Sequence, residues 1–309
     1  MQAVVLGPGQ ASQYVGMGKS FYDAFPYVRE IFELAEQVAK IPVSRLCFEG
    51  PDDLLTRTDN VQVCLTTVSI AGLEVLRRET GFEIKAAAGH SLGEYVALYG
   101  AGVFDLPGVI AAVAKRGKSM QQAAEQCRGG MMAVMGLSLD KIEACVAQLS
   151  SFGVITIANL NSPKQVILSG ESGLLEQAGN QMMQAGALKI VPLNVSGPWH
   201  SSFMEPAAHQ MAEFLSTVTL NPPAFPVYSN VTAQAYPADP DQIKNLLVRQ
   251  ITSPVRWTDL IDDLRQMQVP LWIELAPNQV LKGIIRQIDK GLKVVSVDTV
   301  AVLQELPSL

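Results

Sequence analysis

The sequence predicts an α/β protein in which a parallel sheet is interrupted by a smaller inserted lobe. Three observations predict this fold class. Short apolar segments alternate with amphipathic helical segments at both ends of the chain, as in parallel sheets that are covered on both faces. The middle of the chain shows a different order of strands and helices. One apolar segment, Ile84–Ala88, also runs through a glycine turn directly into a helix.

The first part of the chain predicts strands that alternate with helices. Ala3–Leu6 is a short apolar strand that runs into the turn Gly7-Pro8-Gly9. The next helix carries its apolar residues on one face: Val28, Ile31, Phe32, Ala35 and Val38. Val61–Val75 is apolar nearly all round and predicts a helix that is packed on both sides. The strand Ile84–Ala88 follows, and then helices over Leu92–Leu98 and Val109–Met120.

The middle of the chain predicts a ferredoxin-like unit with the order βαββαβ. Its elements are the strand Met131–Met135, the helix Leu139–Leu149, the strands Val154–Ala158 and Gln165–Ser169, the helix Leu174–Ala185 and the strand Leu188–Leu193. We expect residues 126–196 to form this small subdomain, inserted into a large subdomain of residues 1–125 and 197–309. A cleft between the two is a natural place for a site.

The last part of the chain returns to the parallel α/β order. It predicts strands over Val227–Val231, Leu271–Leu275 and Val294–Val297, a helix starting at Ser253-Pro254 and a helix over Val280–Ile288.

Composition and charge exclude several classes of protein. The 309 residues are 48% apolar and 17% charged, which excludes disorder, and the chain is long enough for two lobes. The formal net charge of −6 argues against a surface built to bind nucleic acid. Every apolar run is broken before the ~20 residues of a membrane span, so no membrane segment is expected.

The N-terminus and the cysteines favour a cytoplasmic protein without a metal. MQAVVLGPGQ has no basic start and too short an apolar run for a signal peptide. The four cysteines have no CxxC spacing and predict buried, reduced thiols. With only three histidines in the chain, we expect no bound metal.

The strongest motif is a GxSxG turn from Gly89 to Gly93, between a predicted strand and a predicted helix. This is the context of a nucleophile elbow, in which glycines permit the tight turn and the serine hydroxyl is held above the end of the sheet. The turn predicts Ser91 as a nucleophile. An ordinary glycine turn, with Ser91 as a helix cap, is the alternative.

A serine nucleophile needs a base, and the chain offers His90, His200 and His209. His90 adjoins Ser91, so its side chain points away from the hydroxyl. His209 flanks the apolar stripe of a predicted helix and is interpreted as solvated. His200 lies in the loop that returns from the small to the large subdomain and is the best candidate, although it could instead cap the following helix.

Arg116 is predicted to lie in the centre of an apolar helical face. In a helix, Val109, Val113, Arg116 and Met120 share one side. A buried guanidinium requires an anion, so we expect either an internal carboxylate or the carboxylate of a substrate such as a dicarboxylic acyl group.

The loop after the first strand, from Gly7 to Ser12, is not a dinucleotide-binding motif. Ser12 stands where the third glycine belongs, and no acidic strand end follows about 20 residues later. In an elbow enzyme this loop can supply a second backbone donor to an oxyanion, besides the N–H of the residue after the nucleophile. Gln10 is placed to supply it.

These residues together resemble the malonyl-CoA:acyl carrier protein transacylases and the related acyltransferase domains of fatty-acid and polyketide synthases. The resemblance covers essentially the whole chain. GHSLGEY begins at Gly89, RGKSMQ at Arg116 and SGPWHS at Ser196. ANLNSPKQVILSG, SPVRW and ELAPNQVL are similar to further family segments. In the first loop, Gly7 and Ala11 replace the Phe and Gly that are usual in the family.

The resemblance implies a fold and a set of roles. It implies a large α/β-hydrolase-like subdomain, with Ser91 as the acylated nucleophile and His200 as its base. Gln10 and Leu92 correspond to the residues whose backbone N–H groups form the oxyanion hole. Arg116 corresponds to the arginine that holds the malonyl carboxylate. A backbone carbonyl near Gln250 corresponds to the one that orients the histidine.

The expected activity is transfer of a malonyl group from malonyl-CoA to the phosphopantetheine thiol of acyl carrier protein through a malonyl-serine ester. No metal and no bound cofactor is expected, and we expect a monomer. The alternatives are a free-standing acyltransferase of a polyketide assembly line, a serine hydrolase or thioesterase, and a non-catalytic binding module. Candidate residues for docking an acidic carrier protein are Lys115, Lys118, Arg286, Lys290 and Lys293.

Overall fold

The computed structural model describes residues 1–306 as two sheets with helices packed against them. The strands are β1 Gln2–Gly7, β2 Glu83–Gly89, β3 Gly129–Met135, β4 Ile155–Ser162, β5 Gln165–Glu171, β6 Lys189–Pro192, β7 Val227–Tyr228, β8 Leu271–Leu275 and β9 Val294–Val297. The α-helices are α1 Lys19–Ala24, α2 Pro26–Ala39, α3 Val43–Glu49, α4 Asp52–Thr56, α5 Thr58–Glu79, α6 Gly93–Gly100, α7 Leu106–Glu125, α8 Leu139–Leu149, α9 Ser172–Gln184, α10 Glu205–Ser216, α11 Pro240–Gln250, α12 Trp257–Leu264, α13 Val280–Ile288 and α14 Val300–Glu305.

The first sheet is parallel throughout, with the strand order β7-β2-β1-β8-β9. Its central strand β1 is apolar at successive positions because it faces two cores. Ala3 and Val5 pack in a large core with α2, α5, α6 and α7, whereas Val4 and Leu6 pack in a smaller core with α12 and α13. Side chains alternate across a strand, so burial on both faces requires the unbroken apolar run.

The second sheet is antiparallel, with the order β4-β5-β3-β6, and α8 and α9 cover one of its faces. Met132 and Val134 of β3 point to these helices, whereas Met131 and Ala133 point to the cleft beside the first sheet. The chain order βαββαβ is the predicted one, and the α/β fold class is confirmed. The subdomain boundaries at residues 126 and 196 stay a prediction.

Three local predictions are wrong. The strand expected over Val227–Val231 ends at Tyr228, because the chain turns there. The helix expected from Ser253 begins at Trp257, because Val255 pairs with β4: its N–H donates to the Ala158 carbonyl and its own carbonyl accepts from the Leu160 N–H. Cys127 and Cys145 are half-buried, and only Cys47 and Cys64 lie in the core. Within residues 1–306, no helix is both long and apolar enough to span a membrane.

Candidate active site

Ser91 stands on a tight turn between β2 and α6. Its backbone φ is +50°, a left-handed conformation that L residues rarely adopt. The flanking glycines make the turn possible. A Cβ on Gly89 would lie 1.9 Å from the Gly93 carbonyl carbon, and a Cβ on Gly93 would lie 2.0 Å from the Gly7 carbonyl oxygen. The turn therefore has the geometry that the motif predicts for a nucleophile elbow.

His200 contacts the Ser91 hydroxyl. Its Nε2 lies 2.9 Å from Ser91 Oγ, and its Nδ1 lies 2.9 Å from the Gln250 carbonyl oxygen and 3.1 Å from that of Ser253. Carbonyls only accept, so Nδ1 carries the proton and Nε2 is free to accept from the serine. Burial, together with the nearby charge of Arg116, lowers the pKa of His200 to about 3. The imidazole is therefore neutral at pH 7, as a base requires.

The other two histidines do not contact Ser91 Oγ. His90 Nε2 lies 2.9 Å from Asn161 Oδ1, and burial lowers the pKa of this imidazole. His209 is exposed on α10.

Arg116 is fully buried and reaches the nucleophile. One terminal nitrogen donates to Gln62 Oε1 at 2.9 Å. The other donates to Ser91 Oγ at 3.1 Å and to Gln250 Oε1 at 3.0 Å. Of the two anions expected beside Arg116, an internal carboxylate does not contact it: within the described residues the guanidinium forms no ion pair, and its hydrogen-bond partners are neutral oxygens. Arg116 Nε has no hydrogen-bond partner there either.

Gln10 lines the same cleft as Ser91, and Leu92 follows Ser91 in the chain. Among residues 1–306, neither the Gln10 nor the Leu92 backbone N–H donates a hydrogen bond to another protein group. The Ser91 N–H, in contrast, donates to Asn230 Oδ1 at 2.7 Å. Of the two departures from the family pattern, Ala11 has a φ of +75°, and Gly7 packs against Gly93, where a Cβ would lie 2.4 Å from the Gly93 oxygen.

Sequence reasoning missed four polar groups around the serine: the side chains of Gln62, Glu94, Asn230 and Gln250. Gln62 and Glu94 had a signal, because each is a long polar side chain among the buried, mostly apolar residues of its helix. Asn230 and the Gln250 side chain had none, because their contacts with Ser91 join residues 139 and 159 positions apart.

A cleft of about 500 Å³ opens over the serine between the two sheets. Ser91 and His200 line it together with the first loop, the open face of the second sheet and one side of α13: Gly9, Gln10, Met131, Ala133, Asn159, Asn161, Gln165, Ile167, Val280, Ile284 and Gln287. No group of three or more His, Cys, Asp or Glu side chains in the described part of the chain is arranged to hold a metal ion.

A parallel sheet, an elbow serine and a neutral histidine at hydrogen-bond distance are typical of the α/β enzymes that pass an acyl group through a serine ester. The model of the acyl transferase domain family matches residues 4–306. The chain belongs to this family, and within it to the malonyl-CoA:acyl carrier protein transacylases. The family predicted from the motifs is thereby confirmed.

The similarity extends over the whole chain. The malonyl CoA-acyl carrier protein transacylase of Bacillus subtilis is 37% identical over 293 residues, which cover 94% of this chain and 92% of the relative. An acyl carrier protein S-malonyltransferase structure from Vibrio cholerae is 38% identical, with a TM-score of 0.94 and 99% of both chains covered. A malonyl-transacylase solved in complex with a type II polyketide acyl carrier protein is 35% identical, with a TM-score of 0.94 and 98% of both chains covered.

Proposed function

We propose that this protein transfers the malonyl group of malonyl-CoA to the phosphopantetheine thiol of acyl carrier protein, in fatty acid biosynthesis. The family membership carries the assignment of enzyme and substrates. The contact between Ser91 Oγ and His200 Nε2, at 2.9 Å, is the observation that supports the residue roles. In this proposal Ser91 is the nucleophile and His200 is the base and acid of both half-reactions.

In the first half-reaction Ser91 Oγ attacks the thioester carbonyl carbon while its proton moves to His200 Nε2. The Gln250 carbonyl, which accepts from Nδ1, keeps the imidazole in the required tautomer and stabilises the imidazolium. The carbonyl oxygen becomes an oxyanion next to the Gln10 and Leu92 N–H groups. Collapse of this intermediate breaks the C–S bond, and His200 returns the proton to the departing CoA thiolate.

The second half-reaction runs the same steps with a different thiol. The phosphopantetheine thiol gives its proton to His200, and its sulfur attacks the malonyl-serine carbonyl carbon. The C–O bond to Ser91 then breaks and Oγ recovers the proton. Since CoA leaves before the carrier protein reacts, the kinetics are expected to be ping-pong.

Arg116 has two effects in this scheme. Its positive charge, 3.1 Å from Ser91 Oγ, favours the anionic form of the nucleophile. Its guanidinium has no anionic partner within hydrogen-bond distance in the described structure, and a single methylene separates the malonyl carboxylate from the ester carbonyl. We propose that the carboxylate pairs with Arg116 and replaces neutral partners. A serine hydrolase for neutral acyl groups has no need of such a cation, which argues for transfer of an acidic acyl group.

Intact-mass measurement after mixing with malonyl-CoA tests the residue roles. We expect a covalent malonyl adduct on the wild type and none on Ser91→Ala, and transfer of the adduct when holo-acyl carrier protein is added. If water hydrolyses the malonyl-serine ester as fast as the ester forms, in the absence of a carrier protein, the enzyme is a thioesterase instead. An adduct that survives Ser91→Ala would overturn the proposed nucleophile.

A polyketide assembly line is the second candidate pathway, because one similar structure contains a polyketide acyl carrier protein. Transfer rates to a panel of fatty-acid and polyketide carrier proteins distinguish the two pathways. The candidate docking residues Lys118, Arg286, Lys290 and Lys293 are exposed, and Lys115 is half-buried with its amine donating to Gln210. Charge reversal at Arg286, an exposed residue between the cleft-lining Ile284 and Gln287 of α13, is expected to weaken carrier binding without changing loading from malonyl-CoA.

We also propose a monomer that works in the cytoplasm without a bound cofactor. All four cysteines are free thiols, as is typical of proteins in reducing compartments. Light scattering at the working concentration tests the oligomeric state.

A further inference from the structure

Glu94 carries a buried carboxyl group that the proposed reaction does not use. It lies in the first turn of α6, three residues after Ser91, and has no exposed surface. Its Oε1 accepts hydrogen bonds from the Tyr236 hydroxyl at 2.5 Å and from the Asn230 backbone N–H at 3.1 Å. Its Oε2 accepts from the Gln250 side-chain amide. Three donors from two other segments of the chain therefore converge on this one side chain.

Two of these donors also hold the backbone of the nucleophile. The Asn230 side chain accepts from the Ser91 N–H at 2.7 Å and donates to the Gly89 carbonyl at 2.7 Å. The Gln250 side-chain amide donates to the Ser91 carbonyl at 2.8 Å. The peptide groups before and after the Ser91 Cα are thus each bound by a side-chain amide, and both amide-bearing residues are anchored on Glu94.

Ser91 needs such support because its φ of +50° is unfavourable for a residue with a side chain. A strained conformation persists only where the surrounding contacts enforce it. We infer that Glu94 is a positioning residue, which anchors Asn230 and Gln250 so that they lock the Ser91 turn with Oγ directed at His200. This inference rests on the proposed role of Ser91 as the nucleophile.

A competing role is charge balance for Arg116. The Gln250 amide lies between the Arg116 guanidinium and the Glu94 carboxyl group, since it accepts from Arg116 and donates to Glu94. Burial raises the pKa of Glu94 to about 7, so this carboxyl group is only partly ionised at neutral pH. The two roles differ in their substrate dependence. The position of Ser91 matters for every acyl group, whereas the charge of Arg116 matters most for an acyl group that carries a carboxylate.

The test compares the first-order rate of Ser91 acylation between the wild type and Glu94→Gln. Each protein is mixed with saturating malonyl-CoA or acetyl-CoA, the reaction is stopped by rapid quench, and the acylated fraction is measured by intact mass. The new amide places an NH₂ group against a donor, either Gln250 or the Tyr236 and Asn230 pair, so one anchor is lost. A misplacement of the nucleophile by a fraction of an ångström predicts a loss of about 10- to 100-fold with both substrates. A fluorophosphonate, which reacts with an activated serine, is expected to show the same loss without any thioester.

Two further variants complete the test. Glu74→Gln is the matched control: Glu74 on α5 also accepts from a tyrosine, the Tyr99 hydroxyl at 3.1 Å, but it pairs with Arg77 and Arg78 away from the cleft. Its acylation rates are expected to equal those of the wild type. Asn230→Ala removes one anchor of Ser91 and leaves the Glu94 side chain in place. It is expected to slow both substrates, and the double variant should lose much less than the product of the single losses.

Loss with malonyl-CoA alone would overturn the inference in favour of charge balance. Normal rates for the folded protein with only a lower Tm would overturn it in favour of a structural role. If Glu94→Gln does not fold, equal losses for Asn230→Ala with acetyl-CoA and malonyl-CoA support the inference and normal rates overturn it. The wild-type adduct reports separately on the proposed function, and the fluorophosphonate tests the positioning of Ser91 whichever thioester is the substrate.

Discussion

Replacing Arg116 by alanine is expected to separate malonyl transfer from acetyl transfer. The guanidinium is fully buried and donates hydrogen bonds only to neutral oxygens in the described structure, so a substrate carboxylate that pairs with it gives up its hydration for this contact. Truncating one partner of such a buried charge pair costs about 3 kcal/mol, which lowers kcat/KM for malonyl-CoA roughly 150-fold. Acetyl-CoA loses only the bond from Arg116 to Ser91 Oγ, at about 1.4 kcal/mol or roughly 10-fold.

The assay is the loading rate of Ser91 with each thioester, measured by mass, and the expected result is a drop of about 15-fold in the malonyl-to-acetyl ratio. Gln62 and Gln250 lose a partner in this variant, so its folded fraction is measured by circular dichroism and the rates are corrected for it. Arg116→Lys, which keeps the charge but not the planar fork, should give an intermediate ratio. Equal losses for the two thioesters would refute a carboxylate-binding role for Arg116.

Three further predictions concern the elbow and its neighbours. Gly93→Ala is expected to lower the free energy of unfolding by more than about 3 kcal/mol in urea titrations, because the new Cβ would lie 2.0 Å from the Gly7 oxygen; a stable, active variant would contradict the elbow geometry. The folded-state pKa of His200, about 3, lies below its unfolded value, so stability is full above about pH 6.5 and is lost as the pH falls toward about 3. His200→Gln should flatten this dependence of stability on pH. If the variant and the wild type have the same pH profile of unfolding, His200 is not its cause. Gln62→Leu removes the Gln62 oxygen that accepts a hydrogen bond from Arg116, and it is expected to slow malonyl loading about 10-fold while acetyl loading changes less. Equal slowing of the two loading rates would exclude this contact as a determinant of the preference for malonyl-CoA.

Much of the fold could be predicted because the local pattern and the tertiary environment agree. The strands β8 and β9 and the helices α8 and α13 have the predicted bounds. The predictions failed where a distant segment decides the local conformation. Val255 pairs with β4, which delays the start of α12. The chain turns after Tyr228, and Asn230 in this turn binds the backbone of Ser91.

In the candidate site, too, the residues marked by a local pattern could be predicted and their distant partners could not. The helical period places Arg116 on a buried face, and the glycine spacing with its strand and helix marks Ser91, because both signals come from neighbours within a few turns. Besides Ser91 Oγ, the partners of Arg116 are amide oxygens from α5 and α11, and no local pattern encodes which segments will meet there.

The sequence by itself determined the α/β class, the inserted βαββαβ unit, the elbow and the residue types that serve it, because these depend on periodicity and on short-range sterics. Only the tertiary structure decided that His200, 109 residues after Ser91, lies 2.9 Å from its hydroxyl. It also decided that Glu94 joins Asn230 and Gln250 beneath the same turn. The physical reason is that side chains far apart in the chain come into contact only when the parallel sheet brings its carboxyl ends, and the loops that follow them, to one edge.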